Sequence, residues 1–439
     1  MSLLKKGISD SKYYLIASIG NKALAFFIIP ILAKSVGVKE FATYDLFLLI
    51  SAFLNIFAVL GTDSGITILV VESKDDKEAL SFLYVVTLVL VIGVILFASV
   101  ILHFIFLYRD ELFLLKENIW NYILLYVLFT TITYHSFNFL RWQERARDAA
   151  FVTLFSYVAG MLMGLLFLFK YGGIEEYIKG LVLGVSIGMF ISLYISREYI
   201  LNFKVVKEAT TLIKDLMRLS LPFVPNYLGN DLMQMADRIV ILTLFTKYEL
   251  GIYAVIVKIA MIPQVLIGTI AGGFLPVMFK NYQTNNGKRL IKNFYHFYLI
   301  FIPIAFLIAY FASDWVVELF ASREYVKYAY LLPIALISIL FVQSHQANGL
   351  GYPIKRKTHY VMYITFFTII LNYSFSLILG YYIGLEGVII GTLIAGIIKT
   401  YLFTFISEKL YPFEYNLNLI LFVSIISFIL IFISSGKVV

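Results

Sequence analysis

Apolar runs of about twenty residues, separated by short polar stretches, fill the chain from residue 13 to residue 435. A helix needs about 20 mostly apolar residues to cross the hydrocarbon of a bilayer. Thirteen segments meet that requirement: 13–34, 41–61, 79–102, 119–140, 150–170, 177–196, 219–245, 251–277, 293–312, 327–347, 359–381, 384–406 and 416–435. The alternating pattern of outer-membrane strands is absent from the sequence. The pattern therefore predicts an all-α, polytopic membrane helical bundle of roughly 12–14 transmembrane helices, thirteen being the best count. The longest connection, near 197–218, is basic and carries Ile200, Leu201, Val205, Val206, Leu212, Ile213 and Leu216, which reads as an amphipathic segment on the cytoplasmic face. The expected organisation is an N-terminal six-helix lobe (1–200), a connector (201–218), a C-terminal six-helix lobe (219–406) and an additional C-terminal helix (407–439).

Composition narrows the class. Of 439 residues, 61% are hydrophobic and only 14% charged, against about 25% charged in an ordinary soluble domain. Such a chain cannot cover a soluble surface, which argues against a soluble enzyme, a disordered chain, a secreted disulfide scaffold and a nucleic-acid binder. The net charge of +8 reads instead as the positive excess of cytoplasmic loops. With the N-terminus inside, the cytoplasmic segments hold about twice as many lysines and arginines as the outer ones. There is no cysteine, hence no disulfide or thiolate metal site. The first apolar run is interrupted by Asn21 and Lys22 and continues to Leu32 without a small-residue cleavage site, so it reads as a retained helix rather than a signal peptide.

The chain also carries a weak internal repeat. At one constant offset Gly20-Asn21 falls on Gly229-Asn230, Glu40 on Glu249 and Tyr44 on Tyr253. The matches fall at the same helix depth and at the same helix-to-helix turn, as a parallel repeat would place them; chance similarity of apolar sequence is the alternative.

Polar residues at membrane depth are the candidate functional groups, because charge there is costly and by default marks a pathway or a pairing partner. Lys22 sits mid-way along the first helix beside Ser18 and Asn21. About ten residues, or roughly 15 Å, separate it from either helix end, which is deep for snorkelling. The seventh expected helix carries Asn226, Asn230, Gln234 and Asp237 at i, i+4, i+8, i+11, with Asp231 and Arg238 alongside. Pro222 and Pro225 precede this stripe and are expected to bend or loosen its first turns. One reading is a water-filled lumen; the other is that Asp231 or Asp237 neutralises Arg238 or Lys258, and the two are compatible. His135 reads as a satisfied interior group, and Gln343, His345, Gln346 and Asn348 as interfacial. The GxxxG pairs Gly160/Gly164, Gly184/Gly188, Gly268/Gly272, Gly380/Gly384 and Gly387/Gly391 read as helix packing. No GxxxxGK[ST], HExxH, CxxC or nucleophile elbow is present, and Asn372-Tyr-Ser is a sequon inside an expected helix. These absences favour a carrier, with no cofactor, over an enzyme.

Several stretches resemble polysaccharide flippases of the Wzx type, relatives of the multidrug (MATE) exporters and the lipid II flippase. They are Pro30-Ile-Leu-Ala-Lys-Ser-Val-Gly37 with Glu40-Phe-Ala-Thr-Tyr44, Ser220-Leu-Pro-Phe-Val-Pro225, Asp237-Arg-Ile-Val240, Glu249-Leu-Gly-Ile-Tyr253 and Ile383-Gly-Leu-Glu-Gly-Val-Ile-Ile-Gly-Thr392. Ala42 departs from the glycine usual in the first turn motif, which Gly251 keeps in the second. The resemblance implies twelve to fourteen helices in two pseudo-symmetric lobes around a central cavity, and a flippase of undecaprenyl-diphosphate-linked oligosaccharide repeat units, O-antigen or capsule, in a bacterial plasma membrane. It also implies that Lys22 occupies a position where lipid-flipping relatives place a cation. On that reading Lys22, Arg238 and Lys258 meet the diphosphate, Asn226, Asn230 and Gln234 bond sugar hydroxyls, and Asn21 beside Lys22 is a further substrate-binding candidate. The expected partners are the lipid-linked substrate, membrane lipids and polysaccharide assembly proteins such as a polymerase or chain-length regulator. The first alternative is a proton- or sodium-coupled exporter with Asp231 or Asp237 as the ion site; a more distant one is a polysaccharide polymerase or ligase, against which the short outer loops argue.

Overall fold

In lipid, a spanning segment satisfies its backbone only through hydrogen bonds within the segment or within a closed barrel. The computed structural model describes residues 13, 20, 21, 24, 26–73, 76–108 and 115–435, and among these there is no strand. The helices are α1 (Phe26–Ser35), α2 (Val38–Val59), α3 (Thr62–Glu72), α4 (Lys77–Tyr108), α5 (Glu117–Trp142), α6 (Ala146–Tyr171), α7 (Ile174–Ile195), α8 (Arg197–Leu201) and α9 (Ala209–Ser220). After a 3₁₀ turn at Leu221–Phe223 come α10 (Val224–Leu244), α11 (Lys247–Asn281), α12 (Asn285–Phe320), α13 (Arg323–Val326), α14 (Leu331–Val342), α15 (His345–Asn348), α16 (Gly351–Ile354), α17 (His359–Leu410) and α18 (Leu417–Ser435).

Among the described residues nine helices are long and apolar enough to cross a bilayer. The thirteen expected spans do not map one for one, and the reasons are physical. Helix α17 is a 52-residue run broken at Ile383 and Gly384, where φ at the glycine is 72°; the expected spans 359–381 and 384–406 fall on its two arms. The polar stripe of α10 keeps it outside the nine, and α1 and α18 are shorter apolar helices. The expected span 219–245 is split, because α9 and the 3₁₀ turn occupy its start. Helix α12 runs to 36 residues with Pro303 inside it, well beyond the expected 293–312. Phe97, Phe311, Tyr381 and Phe432 are among the large side chains left exposed, as a lipid-facing surface requires.

The chain divides into two compact units, Met1–Ile28 with Thr43–Leu228, and Ile29–Ala42 with Gly229–Val439. In the first, α6 and α7 lie in close contact: a side chain at Gly184 would run into the Ala159 carbonyl, and one at Gly188 into Ser156. Without a hydrophobic force between helices in lipid, such close backbone approach is what holds them together. Helix α9 lays Leu216 into a core with Ile66, Leu69, Val70, Leu83, Tyr84 and Phe139. His135 is satisfied there, its Nε2 lying 2.9 Å from Thr87 Oγ1 and 3.1 Å from the Tyr84 carbonyl.

In the second unit, polar side chains tie α14 through α16 to the second arm of α17. Ser338 donates to the Ile389 carbonyl (3.2 Å), Ser344 and Thr400 share a hydrogen bond (2.9 Å), and Asn348 donates to Thr404 Oγ1 (2.8 Å). Tyr352 donates to the Phe403 carbonyl at 2.9 Å. Each such bond in an apolar surround is worth about 0.6–2 kcal/mol. Thr246 and Glu249 form a capping box at the start of α11, which fixes where that helix begins.

Candidate functional site

The two prolines ahead of the polar stripe start a helix rather than kink one. Pro222 sits in the 3₁₀ turn Leu221–Phe223 and Pro225 in the first turn of α10, where a missing N–H leaves no hydrogen bond unmade. The first turns of the expected span 219–245, which these prolines are expected to bend or loosen, hold this 3₁₀ turn ahead of α10. From this start, α10 directs Gln234, Asp237 and Arg238 into a cavity of about 270 Å³ within the second unit, which Gln343, His345 and Lys399 also line.

Asp237 is 5% exposed. Its carboxylate accepts hydrogen bonds from the Tyr253 hydroxyl, from Asn372 Nδ2 at 2.9 Å and from Thr392 Oγ1 at 2.9 Å. Ser376 in turn donates to Asn372 Oδ1 and to the Val388 carbonyl, both at 3.0 Å. The break at Ile383–Gly384 is what lets both arms of α17 reach one carboxylate: Asn372 comes from the first arm and Thr392 from the second. Three neutral donors around a buried carboxylate offset much of its desolvation.

The cations of this cavity are placed differently. Arg238 is 7% exposed; its Nη1 donates to the Gln234 carbonyl at 3.0 Å, and its guanidinium stands 5.2 Å from the centre of the Tyr253 ring. Lys399 is 4% exposed. Its ammonium lies 5.7 Å from the Phe403 ring centre and makes no ion pair among the described residues. His345 Nδ1 and Gln346 Oε1 are shielded from solvent and have no hydrogen-bond partner among the described residues.

Of the residues singled out in the sequence, Gln234, Asp237 and Arg238 therefore share one cavity. Asp231 on α10 and Lys258 on α11 are half-buried, and neither lines it. Asn226 and Asn230 lie on α10, but their side chains are outside the described residues, as is Lys22. Asn21 lines a different cavity of about 600 Å³ within the first unit, with Asn55, Tyr126, Tyr157 and Arg141, and its Oδ1 is buried without a hydrogen-bond partner among the described residues. The His345 group, read from sequence as interfacial, belongs in part to the interior.

Sequence reasoning missed Lys399, Asn372 and Thr392. Lys399 reads as one more cytoplasmic charge, although it falls well inside the expected span 384–406, and that depth is the signal that marks it. Asn372 stands out in the sequence only as a sequon.

The fold is that of known membrane transporters. The chain superposes on the lipid II flippase MurJ in an inward closed conformation with a TM-score of 0.68, at 16% identity over 96% of this chain and 91% of that one. It matches an inward-facing multidrug resistance MATE family transporter of the MOP superfamily with a TM-score of 0.64, at 18% identity over 90% and 94%. Identity this low shows the fold alone: a polytopic helical bundle of the MATE and MurJ type. Residues 8–282 match the polysaccharide biosynthesis protein family, and the chain belongs to that family. A Haemophilus influenzae protein of the Lsg locus is 23% identical over 344 residues, covering 76% of this chain and 81% of that protein.

Proposed function

We propose that the protein translocates undecaprenyl-diphosphate-linked oligosaccharide repeat units of O-antigen or capsule across a bacterial plasma membrane, with its N-terminus cytoplasmic, as a Wzx-type flippase. The observation that carries this reading is the charge balance of the second unit's cavity. Arg238 and Lys399 are buried there against one carboxylate, Asp237, that already holds three hydrogen-bond donors. A cavity biased toward positive charge suits a diphosphate, which must be neutralised to cross lipid. Gln234, Gln343 and His345 supply polar contacts for sugar hydroxyls beside it. Membership of the polysaccharide biosynthesis family supports the oligosaccharide cargo. Lys22, Asn21, Asn226, Asn230 and Lys258 stay in the proposal as further contacts along the path. The cavity would open alternately to the two membrane faces, and the repeat units would then pass to a polymerase and chain-length regulator.

The exporter reading keeps one observation in its favour: Asp237 is a buried carboxylate, as a proton or coupling-ion site needs, with Asp231 six residues earlier on the same helix. The test is deletion of the gene, with surface polysaccharide measured and lipid-linked repeat units assayed on each membrane face. Loss of surface polymer with repeat units trapped on the cytoplasmic face is expected, and Arg238→Ala or Lys399→Ala should fail to restore it. Intact polymer with altered sensitivity to cationic drugs would overturn the flippase reading in favour of the exporter.

A further inference from the structure

The first unit contains another polar centre, beside His135 and apart from the cavity that holds Asp237. Helix α2 ends at Val59, and the chain turns through Leu60 (φ 50°) and Gly61 (φ 70°) before α3 begins at Thr62. A leucine at positive φ is a backbone outlier. Beside this break lies a chamber of about 10 Å³, lined by Asp63, Thr131, Tyr134, His135 and Asn138 among others. That is the space of one water or one small ion.

Three of these side chains end in atoms that are shielded from solvent and have no hydrogen-bond partner among the described residues: Asp63 Oδ1, Thr131 Oγ1 and Asn138 Nδ2. Thr131 is 0% exposed and Asn138 5%. A buried polar atom without a partner costs about 1–3 kcal/mol, so three around one chamber call for a ligand. The threonine is informative. Its neighbours Thr130 and Thr133 spend their hydroxyls on the carbonyls one turn back, Tyr126 (2.6 Å) and Phe129 (2.9 Å). Thr131 has no such bond. Asp63 is held for the purpose as well: the Tyr134 and Tyr227 hydroxyls both donate to its Oδ2 at 3.2 Å, which orients the carboxylate and leaves Oδ1 over.

The chemistry of the donors selects the ligand. One carboxylate balances one positive charge. Divalent calcium or magnesium takes six or more oxygens and usually further carboxylates, and no group of three His, Cys, Asp or Glu side chains exists among the described residues to hold a transition metal. We propose that this chamber is a binding site for a single monovalent cation, sodium, held by the Asp63 carboxylate, the Thr131 hydroxyl and the Asn138 side-chain amide, whose oxygen reaches the chamber once the amide is turned over. His135, with Nε2 engaged by Thr87 and the Tyr84 carbonyl, stays in place as a wall. The site sits where α2 breaks into α3, so its occupancy would lock that turn. Cation binding here does not depend on the cargo proposed above.

The experiment is thermal unfolding of the detergent-solubilised full chain in sodium chloride against choline chloride at equal ionic strength. Sodium should raise the melting temperature saturably, by about 3 °C at a hundredfold excess over its dissociation constant. The rise should vanish in Asp63→Asn and in Thr131→Val, and persist in Asp237→Asn. Should Asp63→Asn fail to fold, the near-isosteric Thr131→Val and Asn138→Leu carry the test. No sodium effect on the parent protein would mean that the chamber takes water only, and would overturn the proposal. So would an effect that survives Thr131→Val and Asn138→Leu, or one that disappears only in Asp237→Asn.

Discussion

Replacing Lys399 by methionine should make the protein more stable and less active at once. Lys399 is buried on the second arm of α17, without an ion pair among the described residues. Holding an ammonium at the centre of a spanning helix costs about 2.5–3.5 kcal/mol. Methionine keeps the length and the packing on Phe403, whose ring the ammonium approaches to 5.7 Å, and removes the charge. Because the cavity is polar, only part of that cost is returned, about 1–2 kcal/mol. In the proposed transport cycle the same change removes one charge-assisted contact to a diphosphate, worth about 1.5–3 kcal/mol, or a fall of roughly tenfold to a hundredfold at 1.4 kcal/mol per decade. Thermal unfolding in detergent reads the first effect. Translocation of lipid-linked repeat units in proteoliposomes, and rescue of surface polymer in a deletion strain, read the second. Lys399→Arg keeps the charge and should retain most activity. A Lys399→Met variant that melts lower than the parent, or carries substrate at the parent rate, refutes the reasoning: in the first case the lysine is structural, in the second it faces no anion.

Other substitutions probe the frame that holds the cavity. Tyr253→Phe deletes one donor to the buried Asp237 carboxylate and should cost about 1.5–3 kcal/mol, visible as a lower melting temperature. Gly184→Leu would drive a side chain into the Ala159 carbonyl across the α6–α7 contact. No rotamer relieves a clash with backbone, so the loss should exceed the ordinary overpacking range of about 1–3 kcal/mol and appear as loss of folded protein in the membrane. Leu216→Ala opens the core that docks α9, where Leu216 is fully buried, and should cost about 2–5 kcal/mol, against much less for Leu212→Ala at its partly buried neighbour; equal losses would mean that α9 is not anchored through that face.

The sequence makes the spans legible because a bilayer imposes one length and one composition on every helix, and twenty apolar residues announce themselves without a partner. What the sequence hides is depth and neighbourhood. Lys399 and Lys409 look alike in a charge count, yet the first is buried among α14, α15 and α17 side chains while the second ends the helix. The stripe on α10 is readable by helical spacing, and Gln234, Asp237 and Arg238 do line one cavity. Lys258 is, like Arg238, a cation within an expected span but does not line the cavity, since a residue's helix face relative to a neighbouring helix is set by packing that no local pattern encodes. Asn372 shows the same limit from the other side. Nothing near it in sequence contains an acid, and its partner Asp237 lies on another helix, brought within 2.9 Å only because α17 breaks at Gly384 and folds two arms around one carboxylate. Glycine at that break was visible; its consequence was not, because a positive φ tells where a chain turns and not what the turn brings together. Buried polar groups in a membrane fold are therefore found from sequence singly, as anomalies of composition, and become a site only when the helix contacts that pair them are known.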